Sequence, residues 1–133
     1  METKTCSQCG KNLPIEEFHW RNKMKGTRRA NCKNCQNTYM RTHYHKKKET
    51  INEIKAKTGC AKCGEKRPYC LDFHHIDPMT KENTIARMSS NSYNIANILT
   101  EIDKCICLCS NCHREFHYLL ERDNTLTIQS YIQ

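Results

Sequence analysis

The sequence has little with which to build a large core. Its mean hydropathy is −0.87, and hydrophobic residues reach 37% only when cysteine is counted. No apolar run approaches the roughly 18 residues of a membrane helix, which excludes a spanning segment of that kind. The first ten residues, METKTCSQCG, hold no apolar stretch of a secretory signal, so a cytoplasmic chain is expected. Proline and glycine number only 3 and 4, and none lies between Cys32 and Lys57. With 133 residues the chain has room for one ordinary domain or two small ones. Small modules with thin cores need another source of stability, typically disulfides or a metal.

Cysteine is what the chain has in excess. Of 11 cysteines, eight form Cys-x-x-Cys pairs: Cys6/Cys9, Cys32/Cys35, Cys60/Cys63 and Cys109/Cys112. A secreted disulfide scaffold usually has an even count and a signal peptide, and this sequence has neither. Four regular pairs in an intracellular chain read instead as two four-cysteine zinc sites. The two-residue spacing lets both thiolates of a pair approach one ion from a tight knuckle, and Gly10 and Gly64 follow two of the pairs. Cys70, Cys105 and Cys107 remain, and are expected to pack as small hydrophobes.

The formal charge of +8 is unevenly spread. Residues 1–58 carry 14 Lys and Arg against 5 Asp and Glu, whereas residues 59–133 carry 8 against 9. Each four-thiolate zinc site contributes about −2, which leaves the N-terminal part positive and suited to a polyanion.

The cysteine pairs organise the rest. Between the first two lie Leu13, Pro14, Ile15, Phe18 and Trp20, enough for a mini-core, with a basic turn or hairpin tip over Arg21–Arg29. Residues 36–57 read as a mostly polar helix ended by Gly59. Tyr69–Ile76 reads as a strand stopped by Pro78, with a short helix near 84–88 beyond it. Asn94–Asp103 reads as an amphipathic helix with Ile95, Ile98, Leu99 and Ile102 on its stripe. Residues 105–108 read as a buried strand, and Ser110 as the N-cap of a helix reaching about Arg122. Residues 125–132 are left as a strand or an ordered extension.

Three patterns coincide in the second half: Asp72-Phe-His-His-Ile-Asp-Pro78, then Leu108-Cys-Ser-Asn-Cys-His-Arg-Glu-Phe-His117, and the Cys60/Cys63 pair upstream. His113 and His117 stand four apart on a helix and can bind one ion together. His74 and His75 project to opposite sides of a strand, so one can serve as ligand while its neighbour stays free of metal.

On these residues the segment of about 58–120 resembles the HNH nuclease family, with its ββα-metal fold, and within it small phage-type proteins with paired cysteines. The resemblance implies a small α+β zinc-stabilised protein. Residues 1–58 are then a zinc-ribbon or treble-clef-like nucleic-acid-binding module with a bridging helix, and residues 59–133 an HNH nuclease domain. It places His75 as general base, Asp72 where a carboxylate orients the site, and His74, His113 and His117 as ligands of one catalytic ion (Mg, Mn, Ni or Zn). Two structural zincs sit at Cys6, Cys9, Cys32, Cys35 and at Cys60, Cys63, Cys109, Cys112. The motif asparagine position holds Lys104; Lys104 or one of Asn94, Asn97 and Asn111 takes over its bracing of the loop that holds the base.

The implied reaction is hydrolysis of DNA phosphodiester bonds, in double-stranded DNA by expectation. His75 activates water and the histidine-bound ion stabilises the leaving group. Arg28, Arg29, Lys46, Lys47, Lys48 and Arg114 are candidate phosphate contacts. Trp20, Tyr39 and Tyr44 are candidates for stacking on bases, with mini-core packing the expected use of Trp20, and no membrane partner is expected. Monomer and dimer both stay open, and a phage origin would mean the host-cell cytoplasm. The competing expectations are a non-catalytic zinc-finger protein binding nucleic acid and a protein-binding zinc adaptor. The first accounts for the cysteines and the charge but gives no reason for His74, His75, His113 and His117 together, and the basic N-terminus disfavours the second.

Overall fold

A computed structural model describes residues 2–133 as a small α+β chain. It divides into two compact units, one ending at His45 and the other beginning at Lys46. The division falls inside helix α1 (Lys33–Thr58), which contributes its first half to unit 1 and its second half to unit 2.

Unit 1 is built from two short ribbons. Strand β1 (Thr3–Thr5) runs antiparallel to β2 (Asn12–Pro14), and β3 (Trp20–Asn22) to β4 (Thr27–Arg28). Between β1 and β2 the chain turns through Cys6–Gly10. Gly10 takes φ +70°, a left-handed backbone that a side chain disfavours, and its N–H closes the turn on the Cys6 carbonyl at 2.9 Å. The buried core is Phe18 with Cys6 and Cys32, backed by Leu13 and Cys35. One buried Phe supplies about 1.5–3 kcal/mol, too little to hold such a unit, so its stability depends on what the cysteines bind. Trp20 is not part of this core. It stands 41% exposed on β3, because Phe18 already fills the small interior.

In unit 2, β5 (Leu71–His75) pairs antiparallel with β6 (Cys105–Cys109), with Leu71 opposite Cys109 and His75 opposite Cys105. Helix α4 (Ser110–Leu120) follows β6 directly. Its N-cap is Cys109, whose sulfur accepts from the Cys112 N–H, and not Ser110, which is already helical. Leu71, Cys107, Leu108, Phe116, Ile128 and Tyr131 form one core. A second core joins Ile51 of α1 to Ile85 and Met88 of α2 (Ile85–Ser90) and to Ile98 and Ile102 of α3 (Ile95–Ile102). Phe73 packs against both.

The tail forms a helix, α5 (Ile128–Ile132), started by a capping box between Thr127 and Ser130. It closes over the cysteine knuckle: the Tyr131 hydroxyl donates to the Glu115 carboxylate at 2.6 Å and lies 3.0 Å from the Cys112 carbonyl. Lys62 in turn donates to the Tyr131 carbonyl at 2.6 Å. Of the three unpaired cysteines, Cys107 is in the core, Cys105 packs at the edge of the second core, and Cys70 is half-buried in the turn before β5. No helix among the described residues is long and apolar enough to cross a membrane.

Candidate metal centres and active site

Two sulfur clusters form as the spacing requires: Cys6, Cys9, Cys32 and Cys35 in unit 1, and Cys60, Cys63, Cys109 and Cys112 in unit 2. In each, the four sulfurs lie within 4.8 Å of one another. The Cys63 and Cys109 sulfurs are 3.6 Å apart, close to the roughly 3.8 Å edge of a tetrahedron whose metal–sulfur bonds are about 2.3 Å. The local folds repeat. Cys60 and Gly64 close the same turn as Cys6 and Gly10, with the Gly64 N–H on the Cys60 carbonyl at 2.9 Å. Soft thiolates in a closed tetrahedral set suit zinc, and the residues fit it.

The protein prepares one sulfur per cluster to carry negative charge. Backbone N–H groups, of Cys32 first and then of Cys9, bring the Cys6 thiol down to about 6. Burial pushes the Cys60 thiol up, but backbone N–H groups of Cys63, Cys109 and Lys62 outweigh it and bring it to about 6. Cys35 moves the other way, to about 12, chiefly through the neighbouring Cys32 sulfur, and burial raises Cys112. In the metal-free chain Cys6 and Cys60 are therefore thiolates at neutral pH, and become thiols as pH falls through about 6. Below that point zinc must displace one further proton at each. Apparent zinc affinity is expected to fall there by an extra factor of about ten per pH unit for each such sulfur. Competition with a chromophoric chelator between pH 5 and 8 measures this, and a flat profile would exclude sulfur ligation.

A third group consists of His74, His113 and His117. His74 projects from β5, and His113 and His117 share one face of α4. His74 Nδ1 lies 3.0 Å from His113 Nε2, which lies 3.2 Å from His117 Nε2. Metal–imidazole bonds of about 2.1 Å at a facial arrangement of three ligands give nitrogen separations of roughly 3.0–3.4 Å, so the donor set fits an ion. Three ligands on one side leave coordination positions open, unlike the closed sulfur sites. Burial, then the nearby His113 and His117, brings His74 down to about 4, and burial also lowers His113. Both therefore present neutral nitrogen at pH 7.

His75 faces the other way, into the interior, where it is 8% exposed. Its Nε2–H donates to Glu101 Oε1 at 2.7 Å. Glu101 is only 1% exposed, and is held from several sides. The same oxygen accepts from the Glu82 N–H at 2.9 Å and the Asn83 N–H at 3.4 Å, and Oε2 accepts from Lys104 Nζ at 2.8 Å. Burial alone would raise this carboxyl, but the Lys104, His75 and backbone hydrogen bonds prevail and bring it to about 2. A carboxylate can only accept, so the proton of neutral His75 is on Nε2. In that neutral form the lone pair is on Nδ1, which makes no hydrogen bond among the described residues.

Glu101 is the site residue that sequence reasoning missed. The signal was present: Glu101 follows Ile98 by three and precedes Ile102, so it stands on the apolar stripe of α3. Leu99, assigned to that stripe, is instead 37% exposed.

No family model, no curated protein and no solved structure matches this chain.

The remaining candidate residues fall as follows. Lys104 reaches the loop after β5, with Nζ 3.2 Å from the Thr80 carbonyl and 3.0 Å from Glu82 Oε1, besides its bond to Glu101. Asn94 instead caps α3, where it accepts from the Asn97 N–H. Asp72 is exposed on the His74 side of β5 and accepts from the Ser110 hydroxyl at 3.3 Å, outside the histidine group. Arg114 is exposed on α4 and Arg29 is exposed in unit 1. Arg28 is half-buried, stacks on Trp20 with its guanidinium carbon 3.4 Å from the ring centre, and donates to the Phe18 carbonyl. Lys46 and Lys48 are exposed, whereas the Lys47 ammonium is bound to the Asn91 and Tyr93 carbonyls at 2.7 and 3.3 Å.

Proposed function

We propose that this chain is a metal-dependent endonuclease of the HNH, ββα-metal type that hydrolyses DNA phosphodiester bonds. One observation carries the reading: adjacent histidines on one strand have separate surroundings. His74 joins two helix imidazoles in an open three-nitrogen group, while His75 is oriented by a buried carboxylate. The antiparallel pair β5–β6 leading into α4 supports the same assignment, being two strands and a helix around the three-histidine group. A purely structural centre would not need open coordination positions or a held, metal-free imidazole beside it.

Each residue then has a defined task. Glu101 fixes the His75 proton on Nε2, so Nδ1 takes a proton from the attacking water. The imidazolium so formed is stabilised by the Glu101 charge, the orienting role a buried carboxylate plays toward a catalytic histidine. Lys104 and the 82–83 backbone keep Glu101 ionised and in place. Arg114 contacts a phosphate of the bound strand. When bound at His74, His113 and His117, a divalent ion supplies Lewis-acid stabilisation to the phosphate and the leaving 3′ oxygen. The products carry 5′-phosphate and 3′-hydroxyl ends. The basic unit 1 provides a docking surface for DNA, with Arg29 exposed to phosphate, and Lys46 and Lys48 at the start of unit 2 are exposed to phosphate as well.

The test is incubation of the zinc-loaded protein with supercoiled plasmid and one added metal at a time. Neutral nitrogen donors favour Mn, Ni and Zn over Mg, so cleavage in Mn or Ni is expected to exceed that in Mg by about tenfold or more. End-labelling should find 5′-phosphates. Binding of DNA without cleavage in any metal would replace this reading with a non-catalytic zinc-finger protein.

A further inference from the structure

Unit 1 contains a feature that hydrolysis does not use. A solvent-open groove of about 940 Å³ lies along its two ribbons, lined by Lys4, Trp20, Arg21, Lys25 and Arg28 among others, with Glu2 as its one carboxylate. Its volume is within the range of ligand-binding clefts, about 300–1,000 Å³. Among the described residues of unit 1 no Lys or Arg forms an ion pair, so Arg21 and Lys25 offer uncompensated charge. Trp20 is the chain's single tryptophan, and its indole is held against the Arg28 guanidinium while remaining 41% exposed in the groove. Arg28 cannot swing away freely, because its Nη1 is bound to the Phe18 carbonyl at 2.9 Å. Arg28 Nε is buried without a hydrogen-bond partner, which is consistent with a guanidinium kept flat on the ring.

We infer that this groove is a binding site for single-stranded nucleic acid, with an unpaired base stacked on the exposed side of Trp20 and adjacent phosphates at Arg21 and Lys25. A rigidly backed aromatic face beside cations is the combination that binds single strands with little sequence preference. Base faces in a duplex are covered by their neighbours, so Trp20 selects an unstacked base, while the cations alone accept either form. An acidic peptide would be served by the cations but gains nothing from an exposed indole. The inference concerns binding in unit 1 and is independent of whether unit 2 hydrolyses DNA.

The experiment uses the whole 133-residue chain, zinc-loaded and without added third metal, and Trp20 as its own reporter. Titration with a short oligothymidylate should quench Trp20 emission saturably, whereas a duplex of equal length or poly-glutamate should quench it much less. Trp20→Ala is expected to weaken binding of a labelled oligothymidylate by about 5- to 100-fold, and Trp20→Phe to restore most of it. Arg21→Ala and Lys25→Ala should each reduce the salt slope of log affinity by about 0.7. Zinc content and circular dichroism confirm that each variant is folded. Absent quenching, equal quenching by duplex or poly-glutamate, or unchanged affinity in folded Trp20→Ala would overturn the site. Plasmid cleavage with a silent Trp20 removes this inference and leaves hydrolysis standing; quenching without cleavage does the reverse.

Discussion

Exchange of His75 for alanine is expected to lower the cleavage rate by about 10²- to 10⁴-fold, the usual contribution of a positioned general base. The fold should survive the change. The Glu101 carboxylate loses one of its four donors but keeps Lys104 and the Glu82 and Asn83 N–H groups. His75 also stands outside the three-histidine group, so metal content should be unchanged. The comparison is a single-turnover rate on a labelled duplex for wild type and His75→Ala, with zinc and added metal quantified in both. A folded, metal-replete variant that cuts at the wild-type rate would remove His75 from the chemistry. His113→Ala makes the contrasting case: it should lose the third ion as well as activity.

Glu101→Ala should be the most damaging single change to the stability of unit 2 outside the zinc ligands. It leaves Lys104, His75 and two backbone N–H groups facing an emptied buried position. Breaking a buried, hydrogen-bonded pair by removing one partner costs about 3–5 kcal/mol. Glu101→Gln is the informative variant. Its amide oxygen can still accept from only one side, while its NH₂ confronts either the Lys104 ammonium or His75 Nε2. If the NH₂ turns to His75, the imidazole proton must move to Nδ1 and the base is lost; a rate loss of about 10²-fold or more is expected even where the protein folds. Urea unfolding followed by single-turnover cleavage separates the two effects, and ¹⁵N chemical shifts of His75 report the tautomer. A Glu101→Gln protein with normal stability, normal rate and the Nε2–H tautomer would show that the carboxylate does no more than fill space.

Short-range chemistry was the part of the site most visible in the sequence. A Cys-x-x-Cys pair, two histidines four apart on a helix and two adjacent on a strand each fix their own geometry within one turn or one pleat, and the structure brings the cysteine pairs together and His74 to His113 and His117, with His75 turned away. Glu101 was missed for the opposite reason, although its place on the apolar stripe of α3 was legible. Lys104 is its neighbour three residues on, but His75 and the Glu82 N–H reach it only in the folded unit, and a charged residue on an apolar stripe is read by default as solvent-facing. Trp20 was misplaced because hydrophobicity says that a large apolar residue wants burial, not that Phe18 has already taken the space. The tail was ambiguous from its β-favouring composition, although Thr127 and Ser130 are a capping pair three apart and mark a helix start. Ser110 lost the cap to Cys109 because a knuckle sulfur already faced the free N–H groups.

Three groups could hold metal, and each has a different proposed job: two closed sulfur clusters that would hold the fold and one open three-histidine group beside the imidazole of His75. Titrating manganese or nickel into protein that already carries its two zincs, while following cleavage of a labelled duplex, tests this most directly. Cleavage should be negligible at the start and saturate with one added equivalent per chain, and His113→Ala should abolish both the added equivalent and the activity. Full cleavage before any metal is added, or none after saturation of the histidine site, would contradict it.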